Sequence, residues 1–223
     1  MAYSKSQNGS SEFYQALEKH IMAFKEQFNT QELANIVYSF SKTPQCNKEL
    51  LRDLESTVIS KLDKAKPEEL CTLLMAYTDS DRMNAPLLTH FELQFKAKFE
   101  EMNAEDISKY YYCFTHLGFK GEGVFYRYVQ KAATKLMKTF EGPHLRYMFY
   151  KFDEEDESRL NTGVRGRLMD RVTELVKAGK IKGYDLNEIY KNTRNMKPNR
   201  EGKAQHDFNY ACQRHLEKIK YFV

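Results

Sequence analysis

The chain has 223 residues, 41% of them hydrophobic and 30% charged, with a net charge of +4 and no tryptophan. That balance fits a soluble, folded, helix-rich protein, and the longest apolar runs, such as residues 73–77, are far too short to cross a bilayer. Four widely separated cysteines (Cys46, Cys71, Cys113, Cys212) with no C-x-x-C pair point to a reducing compartment and away from a disulfide scaffold.

Residues 1–11 read as a polar tail. It holds no arginine, so the arginine-rich amphipathic pattern of an organellar transit peptide is missing. From residue 12 the chain repeats itself. Segments beginning at Leu33, Leu70, Ile107 and Leu145 start 37, 37 and 38 residues apart. In each, positions i, i+3, i+4 and i+7 are apolar: Leu33, Ile36, Val37, Phe40; Leu70, Leu73, Leu74, Tyr77; Ile107, Tyr110, Tyr111, Phe114; Leu145, Met148, Phe149, Phe152. That spacing makes one face of a helix and cannot make one face of a strand. A worn fifth copy gives Leu186, Ile189 and Tyr190, then breaks at Thr193.

A second helix precedes each of these, with recurring core pairs Leu17/Ile21, Leu54/Val58, Phe91/Phe95, Val129/Ala133 and Leu168/Val172. Each unit is therefore a helix A, a short turn and a helix B. Asn29 with Glu32, and Asn103 with Asp106, carry the spacing of a capping box. Pro67 suits a first helical turn, and Pro143 lies near another helix start. Turn-formers at 42–47, 79–86 and 118–123 separate the units. The prediction is an all-α fold: a short α-solenoid of about five helix-turn-helix repeats over 12–198, closed by a terminal helix within 199–223. A period of this size means stacked units, none of which buries its apolar face alone.

Charge divides unevenly along the chain. Residues 1–160 carry a net −3 and residues 161–223 a net +7. The basic end makes Arg165, Arg167, Arg171, Lys180, Lys182, Lys191, Arg194, Lys197 and Arg200 candidate contacts for RNA phosphates, anionic lipid headgroups or an acidic protein surface. The acidic run 153–157 lacks the spacing of a calcium loop, and the glycines at 121 and 123 lack the third glycine and preceding strand of a dinucleotide site. No nucleophile, metal-ligand or phosphate-loop motif is present, and the six histidines do not cluster in sequence. Cys71 and Cys113 sit among helix B core positions, as small hydrophobes. Tyr38, Tyr112 and Tyr150, with Met75 as the counterpart in the second repeat, occupy equivalent places beside the core stripe. They suit either packing between repeats or base stacking. The position after the first stripe residue varies without a visible code: Ala34, Cys71, Ser108, Arg146, Asn187.

The segment Gln31-Glu-Leu-Ala-Asn-Ile-Val-Tyr-Ser-Phe-Ser-Lys42, and more weakly residues 102–118, resembles the octotricopeptide and heptatricopeptide repeats of organellar proteins, including FAST-kinase-like proteins. The resemblance implies a mitochondrial or plastid setting and frequent RNA binding. Together with the acidic repeats and missing catalytic motifs, it leads to an expectation of a non-catalytic scaffold subunit of a large mitochondrial assembly. A respiratory-chain or ATP-synthase complex is favoured, bound through other protein subunits, with no cofactor or metal. The alternative is an organellar RNA-binding or mitoribosomal protein that uses the basic C-terminal section.

Overall fold

In a computed structural model the described residues are 10–43, 49–119, 124–152, 159–193, 196 and 202–220. Among them are twelve α-helices and no strand. The chain divides into two compact units, Met1–Lys98 and Phe99–Val223. The sequence pattern alone suggests one uninterrupted repeat domain; the division falls between helix A and helix B of the third repeat.

The first unit holds α1 (Ser11–Phe24), α2 (Thr30–Lys42), α3 (Glu49–Asp53), α4 (Glu55–Lys61), α5 (Pro67–Asp79) and α6 (Ala85–Lys98). Helix α1 begins inside the expected polar tail, because the Ser10 side chain accepts from the Phe13 N–H at 3.3 Å and caps it. Helices α3 and α4 are the single helix A of the second repeat, interrupted at Leu54, whose N–H still reaches the Leu50 carbonyl at 3.0 Å. The two B helices α2 and α5 pack on each other, and α4 packs against α6.

The predicted starts are formed as expected. Asn29 Oδ1 accepts from the Glu32 N–H at 2.9 Å while Glu32 accepts from the Asn29 N–H at 2.8 Å, a closed capping box. Pro67 occupies the first turn of α5. The repeat also carries a device that the apolar pattern does not reveal. Lys61 Nζ donates to the Glu26 and Phe28 carbonyls at 2.7 and 2.6 Å. One repeat later, Lys98 Nζ donates to the Asp63 and Ala65 carbonyls at 2.7 and 2.5 Å. Those carbonyls lie in or beside the short 3-10 turns Lys25–Gln27 and Leu62–Lys64 that link helix A to helix B. A lysine from each following helix A thus satisfies backbone acceptors the turn leaves over.

The second unit holds α7 (Ala104–His116), α8 (Val124–Leu136), α9 (Gly142–Met148), α10 (Thr162–Lys177), α11 (Gly183–Lys191) and α12 (Gly202–Lys220). Helix B stacks on helix B (α7, α9, α11), α8 packs on α10, and α12 covers α10 and α11. The terminal helix lies where the sequence places it. Helix α9 is shorter than its stripe: it stops at Met148, and Phe149 and Phe152 follow in turns. Both rings are nonetheless fully buried, stacked at 4.2 Å, and Phe149 lies 5.7 Å from Phe208 of α12. Aromatic burial holds the stripe together after the helical hydrogen bonds have ended. Thr193, where the fifth stripe breaks in sequence, is buried too, its hydroxyl donating to the Ile189 and Tyr190 carbonyls at 3.2 and 3.0 Å.

Gly142 sets the approach of α9 to α11. A Cβ there would meet the Asp185 carboxylate at 3.0 Å and Ile181 at 3.2 Å. Helices α7 and α10 end on Gly118 and Gly179, at φ +63° and +64°, with the following N–H reaching back to Phe114 and Leu175. In the first unit Asp81 takes the same place at φ 56° after α5.

Candidate functional site

The B helices of the second unit carry a run of half-buried and exposed rings. Tyr112 of α7 meets Tyr147 of α9 at 5.1 Å between centroids and Tyr150 at 4.8 Å, edge to face. His116, one turn after Tyr112, stacks on it at 5.6 Å and places Nδ1 2.9 Å from the Tyr150 hydroxyl. Arg146 lies between two tyrosines of successive repeats, with its guanidinium carbon 5.2 Å from the Tyr147 ring and 5.1 Å from the Tyr184 ring. Its Nε forms an ion pair at 3.8 Å with the buried Asp185 carboxylate, which orients the fork. Lys151 Nζ sits 6.0 Å over Tyr150. Tyr184 is 65% exposed at the end of the run.

The local sequence explains this face. The four stripe positions are spent on the core: Ile107, Tyr110, Tyr111, Phe114 and Leu145, Met148, Phe149, Phe152 are all fully buried. Tyr112, Tyr147 and Tyr150 fall beside the stripe and emerge at its edge. The two readings of Tyr112 and Tyr150 turn out to be compatible, since these rings pack across repeats and remain half-buried. Arg146 has its role because its counterparts do not: Ala34, Cys71 and Ser108 are buried, so that position is not a reading surface in the earlier repeats. Beside the rings, the hydrogen bond and charge of Lys109 hold the Glu105 carboxyl below the usual carboxylate range. That acid is thereby paired at 2.6 Å, not left to oppose an anion.

Among the described residues, the basic residues singled out from sequence differ in how far the fold occupies them. Arg165 corrects the expectation: it is 3% exposed, with its guanidinium carbon 4.2 Å from the Phe152 ring. The repeat register accounts for this, because Arg165 falls where Tyr14, Leu51, Leu88 and Tyr126 are buried in earlier A helices. Arg171 is largely committed to structure, donating to the Phe140 carbonyl at 3.0 Å and to Glu174 at 3.1 Å. Arg167 is exposed and donates to the Gly163 carbonyl at 3.2 Å. Lys180 and Lys182 are exposed, and Lys191 pairs with Glu188 at 2.7 Å. Arg194, Lys197 and Arg200 lie outside the described residues, as do the acidic run 153–157 and the glycines at 121 and 123.

Among the described residues no group of histidine, cysteine, aspartate or glutamate is placed to hold a metal ion. Cys71, Cys113 and Cys212 are buried thiols, and burial pushes the Cys212 thiol up to about 12. No described helix is long and apolar enough to cross a membrane.

Stacked helical hairpins that bury their stripes and present rings and guanidinium beside them define a helical-repeat protein. The chain belongs to the family of the RNA-editing substrate-binding complex 6 protein, which matches residues 1–154. The match carries the resemblance to a helical-repeat family but does not extend to octotricopeptide or FAST-kinase-like repeats. A search of curated proteins finds no match. Tyr112, His116, Arg146, Tyr147 and Tyr150 all lie inside the matched residues; Tyr184 and α10 to α12 lie beyond them.

Proposed function

We propose that this protein is a non-catalytic scaffold subunit of a mitochondrial RNA-editing substrate-binding complex, and that the ring-bearing face of its second unit contacts single-stranded RNA. The observation that carries the reading is the arrangement of Arg146 between Tyr147 and Tyr184, continued by Tyr112 and Tyr150. Successive bases stack on aromatic rings without regard to sequence, and a guanidinium among them adds both a π-facing plane and a phosphate contact. The family name supports an RNA-editing assembly. It gives no support to a respiratory-chain or ATP-synthase complex, and it favours the RNA-binding alternative. The contacts would come from the repeats themselves more than from the basic C-terminal residues, since Arg165 and Arg171 are occupied within the fold.

Native purification from the source organism tests this reading. The tagged chain should co-migrate with other proteins and with RNA that crosslinks to α7 and α9, in a mitochondrial fraction. A chain recovered alone, without RNA, would rule it out.

A further inference from the structure

Outside the family-matched residues, α10 and α12 enclose an open groove of about 280 Å³. Its lining is Val176, Lys177, Tyr210, Ala211, Arg214 and His215. The lining includes no carboxylate. Tyr210 is 59% exposed, an unusual place for a large ring on a terminal helix that otherwise buries Phe208 and Cys212. Arg214, one turn on, donates to the Tyr210 hydroxyl at 2.9 Å and lies 5.7 Å from the ring centroid. That bond holds the ring in one orientation and leaves other N–H groups of the fork directed elsewhere. Two acids close in sequence to the lining are engaged elsewhere: Glu174 accepts from Arg171 at 3.1 Å, and Asp207 faces His206 at 3.5 Å. Neither Lys177 nor Arg214 makes an ion pair among the described residues.

We infer that this groove is a second binding surface for single-stranded RNA, in which Lys177, Arg214 and His215 hold a backbone phosphate and the Tyr210 ring stacks a base. An acidic peptide would satisfy the cations but leave the oriented ring uncovered; a nucleotide uses both. The inference rests on the reading of the chain as an RNA-contacting subunit, and extends it to a surface the family match does not reach.

The test uses the full chain and a short fluorescent uridine-rich RNA, followed by anisotropy across a salt series. Lys177→Ala combined with Arg214→Ala should weaken binding and flatten the dependence of log affinity on log salt by about 0.7, the slope for the one phosphate charge no longer neutralised. Tyr210→Ala should weaken binding about tenfold with the slope unchanged, as for the removal of one base stack. RNA carrying 4-thiouridine should crosslink to residues 205–217. The replaced side chains sit at the surface, so the thermal melt of each variant should match the parent.

If the groove variants keep full affinity and slope while Tyr112→Ala with Tyr147→Ala loses binding, the groove inference is overturned and the proposed function stands. If neither set matters, both fail. If the groove variants lose binding only to a poly-glutamate peptide, the groove serves an acidic protein segment and the RNA assignment is wrong.

Discussion

The two units are built on one repeat, yet their exposed B-helix faces differ. In the first unit the face beside the stripe offers Tyr38 and Met75, and its nearest cation, Lys42, is 5.8 Å from Tyr38 and ion-paired with Asp79. Residues 1–98 carry a net charge of −1 and residues 99–223 a net of +5. In the second unit the same helical positions hold Tyr112 and Tyr150, joined by Tyr147, Tyr184 and Arg146. The stripe determines how the hairpins stack, whereas the residues one step off the stripe determine what the stack can touch. A single repeat pattern therefore yields one unit whose exposed B-helix face is poor in rings and free cations and one whose face is rich in rings.

The largest effect expected separates stability from binding. Tyr77 of the first unit is fully buried and its hydroxyl donates to the Leu51 carbonyl at 2.8 Å. Tyr77→Ala should cost about 3–5 kcal/mol in stability, read by denaturant unfolding, while RNA affinity per folded molecule stays unchanged. A parallel loss of affinity would break the division of labour.

Next comes the face itself. Tyr147→Ala should weaken RNA binding by about 1–3 kcal/mol, and Tyr38→Ala, the first-unit control, should leave it within experimental error. Equal effects at both positions would mean that the units do not differ in the way described.

High pH offers a probe of each core. Burial raises the Tyr77 phenol well above its ordinary value and the Cys212 thiol to about 12 from 9.0. Because both folded values are raised, their stabilising contribution is complete below the unfolded value and is lost as pH rises through the folded one. Thermal stability should therefore fall from about pH 9 upward, by up to about 1.4 kcal/mol per pH unit for each group. Cys212→Ala should blunt the early part of that loss, and Tyr77→Phe the later part.

The smallest effect concerns a helix end that turns through the left-handed region without a glycine. Asp81 sits at φ 56° where Gly118 and Gly179 serve other helices. Asp81→Gly should stabilise the first unit by at most about 1 kcal/mol in thermal melts.

Much of the fold was legible in the sequence because its strongest signal is a period. The stripe, the helix A pairs, the Asn29 and Asn103 caps and the terminal helix all follow from residue types at fixed spacing. The early end of α9 was not legible, since Phe149 and Phe152 satisfy the apolar pattern whether or not the backbone remains helical. Nor was the lysine bridge of Lys61 and Lys98, which depends on carbonyls and not on side-chain chemistry.

The site was half visible. Tyr112 and Tyr150 stand out as equivalent positions, but Tyr147 and Tyr184 are off that register, and Arg146 reads as mere variation until its tyrosine neighbours are placed around it. Counting charge by segment pointed to the C-terminal section and so included Arg165. The repeat register would have excluded it, because every counterpart of Arg165 is a large apolar or aromatic residue.

The central claim is that the rings and guanidinium of the second unit bind single-stranded RNA. It is tested most directly by anisotropy titration of the purified chain carrying Tyr112→Ala, Arg146→Ala and Tyr147→Ala together, against a short uridine-rich RNA. The account predicts a loss of about 100-fold or more in affinity and a shallower salt dependence, with the helical fold intact by circular dichroism. Unchanged affinity in a folded triple variant would contradict it.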